Sequence, residues 1–408
     1  MEVVLGLVFI VAGFLPFIVI ARILINLSKS SFNKNDVSHS EVKLNNTREE
    51  LYQQRAKEFT DAAERGDAEA QFKLAEVYEF YESDKYIYWL EKAVAQGHKE
   101  AIRELADAYQ YGHEEAKPPI DKNLGKGLEL LKMLADTGDI EAMKDISLCY
   151  SVEYNDEDKS REWRERAAEA GDIESMVELG DEYRLFSDIS DFDKSEYWYK
   201  KAADLGDGGA MKGLGDLYCY DEERHDYFKA EMWYKKAVDN SHWFAYVRLG
   251  DMYKEGKGFT KDETMAFNYY KKAADKGESY GLISVAECYL NGCGVACNEK
   301  EGFKILEEAV KKGSFKAKYL LGLCYFNGTG VEKNYKKAVE YFQNSEYGTE
   351  ANNMLGECYY FGYGVKEDKD KAHELWHNAA ERGNEDAISN LKTYFYETIE
   401  PCDDHKNS

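Results

Sequence analysis

A nine-residue pattern, A-x-x-x-L-G-x-x-Y, recurs along the chain and constrains its fold more than any other feature. Its copies begin at Ala70, Ala101, Ala142, Ser175, Ala210, Ala245, Gly281, Ala317 and Ala351, and a partial copy begins at Ala387. Successive copies start 31, 41, 33, 35, 35, 36, 36, 34 and 36 residues apart. A period this regular is typical of a repeat protein in which each copy is one supersecondary unit.

Each repeat is expected to consist of two antiparallel helices. Leucine and tyrosine four residues apart share one face of the first helix, and the small residue after leucine lets a partner helix approach. The second half ends in forms such as YYKKAADKG (269–277), whose final glycine is placed as a helix C-cap. Further C-cap glycines are expected at Gly66, Gly97, Gly138, Gly171, Gly206, Gly313 and Gly383. The sequence therefore predicts an all-α protein, a right-handed α/α superhelical solenoid of about nine two-helix repeats.

The fullest copy, ANNMLGECYYFGYGVKEDKDKAHELWHNAAERG (351–383), resembles a Sel-one-like repeat, a relative of the tetratricopeptide repeat. The resemblance covers about residues 62–396. The first five repeats depart from the family pattern because they lack the G-x-G-V turn, and 112–127 is an insertion in the second repeat. The resemblance implies an adaptor or regulatory protein, often in bacterial signalling or envelope processes, and no enzymatic activity.

The N-terminus is expected to anchor the chain in a membrane. Residues 3–21 are an unbroken nonpolar run, which spans roughly 28 Å as a helix, about the thickness of the bilayer core. Lysine and arginine follow the run and none precedes it. By the positive-inside rule we expect a single-pass protein of the bacterial inner membrane with its repeats in the cytoplasm; repeats in the periplasm are the alternative. The predicted domains are an anchor (1–25), a flexible polar linker (26–48), the solenoid (49–399) and a polar tail (400–408).

Composition narrows the class of partner. The formal net charge of −25 argues against nucleic acid, because phosphate binding requires a basic surface. It favours a basic protein or peptide instead. Eight cysteines without regular pairing agree with a reducing compartment. The oligomeric state is left open.

Two motifs resemble metal sites, and neither is expected to be one. HELWH (373–377) matches the zincin pattern H-E-x-x-H. However, the repeat alignment puts both histidines on a packed second helix with no open cleft, so a zinc metalloprotease is only a remote alternative. CGVAC (293–297) is a lone pair of thiols in a turn, which is a weak metal signal. No cofactor is expected.

The expected binding surface lies on the first helices of the repeats. By analogy with tetratricopeptide arrays, the residue two positions after leucine faces a concave groove. We call this set the acidic ladder: Glu76, Asp107, Asp181, Asp216, Asp251, Glu287 and Glu357, interrupted at Leu148 and Leu323. Residues two positions before leucine are expected to line the same groove: Val177, Lys212, Val247, Ile283, Tyr319 and Asn353.

These features predict a membrane-tethered scaffold that holds a protein or peptide in its groove. An ordinary solvated helix face is the alternative interpretation of the acidic ladder. An immunity or inhibitor protein that captures a toxic effector is a second functional hypothesis.

Overall fold

The computed structural model describes residues 52–79, 81–112, 119–185, 189–345 and 348–396. These residues form 20 helices and no β-strand, so the predicted all-α repeat class is confirmed. The chain divides into two compact units between Ala142 and Met143, and each is described by itself.

The helices are short and of similar length. Those that lie wholly in the first unit are α1 (52–64), α2 (Ala68–Tyr78), α3 (Ser83–Val94), α4 (Lys99–Tyr111) and α5 (Leu124–Ala135). Next along the chain are α6 (Ile140–Tyr154), α7 (Glu157–Glu169), α8 (Ile173–Leu185), α9 (Phe192–Asp204), α10 (Gly208–Tyr220) and α11 (Tyr227–Asp239). The remaining ones are α12 (Ala245–Glu255), α13 (Glu263–Asp275), α14 (Ser279–Asn291), α15 (Glu299–Lys311), α16 (Phe315–Asn327), α17 (Tyr335–Gln343), α18 (Gly348–Phe361), α19 (Lys369–Glu381) and α20 (Glu385–Phe395).

Helices α2 to α19 form nine consecutive pairs, which we number repeats 1 to 9, and α20 is the predicted partial copy. In each pair the first helix, here called A, carries the leucine pattern, and the second is called B. Of the insertion predicted at 112–127, residues 112–123 connect α4 to α5 and 124–127 form the first turn of α5; residues 113–118 lie outside the described part of the chain.

Short polar residues set where the helices begin. The side chains of Asp191, Asp226, Asp262 and Asp368 each accept a hydrogen bond from the backbone N–H three residues later, at the start of a B helix. This bond satisfies one of the donors that a helix leaves unpaired at its N-terminus. The predicted C-cap glycines all have positive φ, between 75° and 105°. The repeat boundaries are therefore encoded locally.

The tightest packing within a repeat joins the A-helix glycine after leucine to an aromatic ring of helix B. A methyl group placed on Gly180 would lie 2.5 Å from the ring of Tyr199, and one on Gly356 would lie 2.5 Å from Trp376. Tyr199 and Trp376 are 0% exposed. Only glycine allows the two helices to approach with such a ring between them.

Each G-x-G turn joins the two helices of one repeat and packs against the preceding repeat. Gly330 has φ of +70°, and a methyl group on it would overlap the backbone of Glu299 at the start of the preceding B helix. The N–H of Gly330 donates to the Glu299 carboxylate over 3.0 Å. Gly364 is packed in the same way against the backbone of Tyr335.

The predicted anchor (1–25), linker (26–48) and tail (400–408) all lie outside the described residues. Among the helices that the structure does describe, none is long and apolar enough to cross a bilayer.

Replacing Gly356 with alanine tests the packing of A-helix glycine against the B-helix ring. The added methyl group would overlap the Trp376 indole, and overpacking of this kind costs about 1–3 kcal/mol, more than the roughly 1 kcal/mol that alanine contributes as a helix former. We expect Gly356→Ala to lower the midpoint of thermal unfolding measured by circular dichroism.

The matched control is Gly125→Ala, because Gly125 is exposed in α5 and the nearest atom to its added methyl group would be 3.6 Å away. This control should be neutral or slightly stabilising. Equal effects of the two substitutions would contradict the packing explanation.

Candidate functional site

Buried tyrosines in repeats 4, 5 and 6 donate hydrogen bonds to members of the acidic ladder. The hydroxyl of Tyr234 donates to Asp216 over 2.8 Å, and that of Tyr270 donates to Asp251 over 2.8 Å. Tyr199 donates to Asp181 in the same way, over 2.5 Å. Each tyrosine is the B-helix ring that packs on the A-helix glycine, so its hydroxyl emerges beside the residue that follows that glycine.

Burial fixes the protonation of these tyrosines. It raises the pKa of Tyr234 and the pKa of Tyr270 far above the usual range, and the adjacent carboxylates add to the effect. Both hydroxyls therefore stay protonated and act as donors. Burial also raises the pKa of Asp251, while the Tyr270 hydroxyl and Arg248 act in the opposite direction. Each of these aspartates thus accepts a hydrogen bond from a protonated tyrosine of its own repeat.

Cationic side chains neutralise these aspartates. Lys212 Nζ lies 2.7 Å from Oδ2 of Asp216, and Arg248 Nε lies 3.2 Å from its Oδ1. Another nitrogen of the Arg248 guanidinium, Nη1, lies 3.7 Å from Oδ2 of Asp251, and Nη2 of Arg184 lies 3.2 Å from Oδ1 of Asp181. We call this set the charged row: Asp181, Arg184, Lys212, Asp216, Arg248 and Asp251. It runs across the A helices α8, α10 and α12.

Arg248 is held mainly by rings and charges. Its guanidinium carbon lies 5.2 Å from the ring centre of Phe244 and 5.7 Å from that of Tyr220. The buried Nε has no hydrogen-bond acceptor among the described residues, even though Asp216 is close, because the N–H is not directed at that oxygen. The guanidinium of Arg248 therefore forms ion pairs but donates no hydrogen bond to a described residue.

The aspartate and the tyrosine change together in the later repeats. In repeat 8 the B-helix ring is Phe342, which has no hydroxyl, and Leu323 occupies the ladder position; both belong to one apolar cluster. In repeat 9 the ring is Trp376, and its indole N–H donates to the backbone carbonyl of Asn353 over 3.0 Å. In repeats 4, 5 and 6, where the ring is tyrosine, its hydroxyl thus holds the ladder aspartate.

Arg164 takes the ring position in repeat 3. It forms ion pairs with Glu178, over 3.1 Å, and with Glu182. Arg161 also binds Glu182, whose side chain is 11% exposed. These residues line a cleft of ≈650 Å³ that also includes Asp181. Burial raises the pKa of Glu178 there. The cleft places further paired charges beside one end of the charged row.

The structure changes the interpretation of the acidic ladder. Asp216 is 2% exposed and therefore does not present its carboxylate to a partner, which corrects the expectation that all seven residues face a groove. Glu76 pairs with Lys73 over 2.8 Å in the first unit, and Asp107 is exposed there. Glu287 and Glu357 are half-buried in the second unit, and burial raises the pKa of Glu357. That the ladder binds a partner stays a prediction.

The prediction that residues two before leucine line a groove is wrong for three of the six. Val247, Ile283 and Asn353 are 5%, 2% and 8% exposed, because the A helix is covered on this side as well as on its leucine side. Val177, Lys212 and Tyr319 are half-buried. Of these, Lys212 belongs to the charged row.

Arg184 and Arg248 were not identified from the sequence. They occupy different positions relative to the repeat leucine, five residues after Leu179 and one before Leu249, so no periodic signal marks them. The pair Lys212 and Asp216, in contrast, has the i, i+4 spacing of a helical ion pair. That spacing could have been found.

The two metal-like motifs do not assemble into sites. The ring of His373 packs edge-on against Phe395 at 4.8 Å, and His377 lies 3.5 Å from Glu381. Cys297 donates a weak hydrogen bond to the Leu290 carbonyl over 3.4 Å, and Cys293 is half-buried. Within the described part of the chain, no group of three or more potential ligands is arranged to hold a metal ion.

The consecutive two-helix repeats and the charged row on their A helices define an α/α-repeat protein. The chain belongs to the Sel1 repeat family, whose pattern matches ten segments between residues 68 and 384. Proteins of this family are generally protein–protein interaction scaffolds and are typically not enzymes.

The chain is similar to several solved structures. A Sel1 repeat protein from Oxalobacter formigenes is 25% identical, with a TM-score of 0.58, over 76% of this chain and 90% of that one. The protective antigen c5321 of uropathogenic Escherichia coli is 22% identical over 84% of this chain and 91% of that one, with a TM-score of 0.34. The immunity protein Pa5087 of Pseudomonas aeruginosa is 20% identical over 52% and 82%, with a TM-score of 0.28. No curated protein matches the chain.

A double-mutant cycle at Asp251 and Tyr270 tests their hydrogen bond. Asp251→Leu alone leaves the buried hydroxyl without its acceptor, which costs about 1–3 kcal/mol. Tyr270→Phe in the same chain removes that hydroxyl and recreates the Leu323 and Phe342 pair of repeat 8. We expect the second substitution to recover part of the lost stability in urea unfolding.

The control is Tyr270→Phe in the otherwise unchanged chain, which should be mildly destabilising. If the two losses simply add in the double variant, the hydrogen bond is not what couples the residues.

Proposed function

We propose that this protein is a membrane-tethered scaffold that binds a protein or peptide across the A helices of repeats 4 to 6. The observation that carries the proposal is the charged row. Its side chains are fixed by buried tyrosines, rings and ion pairs, and Arg184, Arg248 and Asp251 remain 19%, 30% and 29% exposed. A polar surface that is held in place before binding loses little conformational freedom on contact.

The arrangement suits recognition better than it suits chemistry. The charges of the row are paired with one another, and the tyrosines stay protonated at physiological pH. The proposal therefore assigns no catalytic role, in agreement with the typical character of the family. Repeat proteins acquire different partners by changing surface residues on a constant scaffold. Repeats 4 to 6 carry such a change, since each has an aspartate on helix A that is hydrogen-bonded to a tyrosine of helix B.

The proposed location of the protein is a bacterial membrane. The nonpolar run at residues 3–21 is long enough for a bilayer, and the positive charges follow it. We infer that the run anchors the protein in a bacterial inner membrane with the repeats in the cytoplasm. A scaffold in this position would bring its partner to the membrane surface, in signalling or envelope-related regulation.

Partner capture tests the binding surface. The full-length chain carrying an aromatic photo-crosslinking residue, which keeps a ring beside Arg248, in place of Tyr220 (43% exposed) should yield a discrete crosslinked species in cells. Arg184→Gln together with Asp251→Asn should reduce its yield at least about fivefold, since both change the exposed charges of the row.

The matched control is Lys236→Gln with Lys272→Gln, two lysines on B helices that contact Trp233 and Tyr269. These changes should leave the yield unaltered. Loss of the crosslink in the control but not in the row variant would contradict the proposed surface.

Fractionation tests the location. The full chain should sediment with membranes and resist extraction at high pH, and a chain lacking residues 1–25 should not. Protease added to intact spheroplasts should leave the repeats uncut if they lie in the cytoplasm. Digestion of the repeats under these conditions, with a cytoplasmic marker protected, would place them in the periplasm instead.

A further inference from the structure

The charged row has unused hydrogen-bond donors at its centre. A guanidinium carries five N–H donors and an ammonium three. The guanidinium of Arg248 donates no hydrogen bond to a described residue; its Nε is buried, so the donors left for a ligand are those of Nη1 and Nη2, and Lys212 is paired only with Asp216. The side chains of Lys212 and Arg248 are 22% and 30% exposed. Both can therefore accept a further partner without leaving their present positions.

The central carboxylate of the row is not available to a ligand. Asp216, at the centre, is 2% exposed and is contacted by Lys212, Arg248 and the Tyr234 hydroxyl. Asp251 also receives the Tyr270 hydroxyl. Asp181 and Asp251, on either side of the centre, are 44% and 29% exposed. What the centre of the row offers to a ligand is donors.

We infer that Lys212 and Arg248 bind a side-chain carboxylate, so that the segment recognised by the row is an acidic peptide. This inference rests on the proposed function and reverses the sign of partner expected from the net charge. A carboxylate is the acceptor that a guanidinium binds in two places at once, with short, charge-assisted hydrogen bonds.

The surroundings of Arg248 favour such binding. Phe244 and Tyr220 flank its guanidinium, which restricts the planar group before any ligand arrives and lowers the entropic cost of binding. The ammonium of Lys257 lies 4.3 Å from the ring centre of Tyr220, on the same surface. A peptide carboxylate would thus meet an oriented donor group beside an exposed aromatic ring.

The net charge of −25 does not prevent an acidic peptide from binding to the charged row. The charged row contains three carboxylates and three cations, and the central carboxylate lies beneath the surface. At physiological ionic strength charges farther than about 8 Å are largely screened. Local donors and charges therefore decide which peptide binds.

Selection from a random dodecapeptide library displayed on phage tests the inference, with the full-length protein in lipid nanodiscs as the target. Binders should share aspartate or glutamate at a fixed position. Their affinity should fall at least about tenfold with Arg248→Gln and several-fold with Arg248→Lys. The second variant keeps the charge beside Asp216 but removes the planar fork, so it remains informative if the first fails to fold.

Lys236→Gln is the control and should not change the affinity. Binders that are lost in the row variants but carry lysine or arginine would overturn the acidic-peptide inference and leave the proposed surface standing. Binders indifferent to Arg248, or no binders at all, would count against both.

Discussion

The close contact between an A-helix glycine and a B-helix aromatic ring is the interaction on which the rest of the structure depends. A ring with no exposed surface, such as Tyr199 or Trp376, fills the space that the missing Cβ leaves. This contact sets how near the two helices approach within a repeat. Because the same contact recurs in repeats 4, 5, 6, 8 and 9, it also sets where the end of each ring emerges.

The polar surface follows from that packing. Where the ring is tyrosine, its hydroxyl reaches the A-helix residue after the glycine and needs an acceptor, since an unpaired buried hydroxyl costs about 1–3 kcal/mol. Aspartate at positions 181, 216 and 251 supplies the acceptor. A carboxylate buried in this way then requires a cation, which Lys212 and Arg248 supply at Asp216. The charged row is thus a consequence of core packing as well as a candidate binding surface.

This origin explains why an acidic pattern in the sequence does not correspond to an acidic surface. The ladder residues share one position in the repeat but differ in environment. Asp216 is buried and paired, Asp107 is exposed, and Leu323 matches an apolar ring. The buried tyrosine hydroxyls of repeats 4 to 6 need an acceptor, and this need explains the aspartates there whether or not a partner binds. What distinguishes the row for binding is the unused donors of Arg248.

The sequence by itself determined the repeat, its two helices and their ends. These features depend on local chemistry: periodic leucine and tyrosine, capping aspartates such as Asp262, and glycines that adopt positive φ. Only the tertiary structure decided which charges neutralise which. Arg248 reaches Asp216 from the next repeat, 32 residues away in the chain, and ion pairs between side chains of different helices leave no periodic trace. It also decided that Val247 and Ile283 are covered, because burial of an A helix on two sides depends on its neighbours.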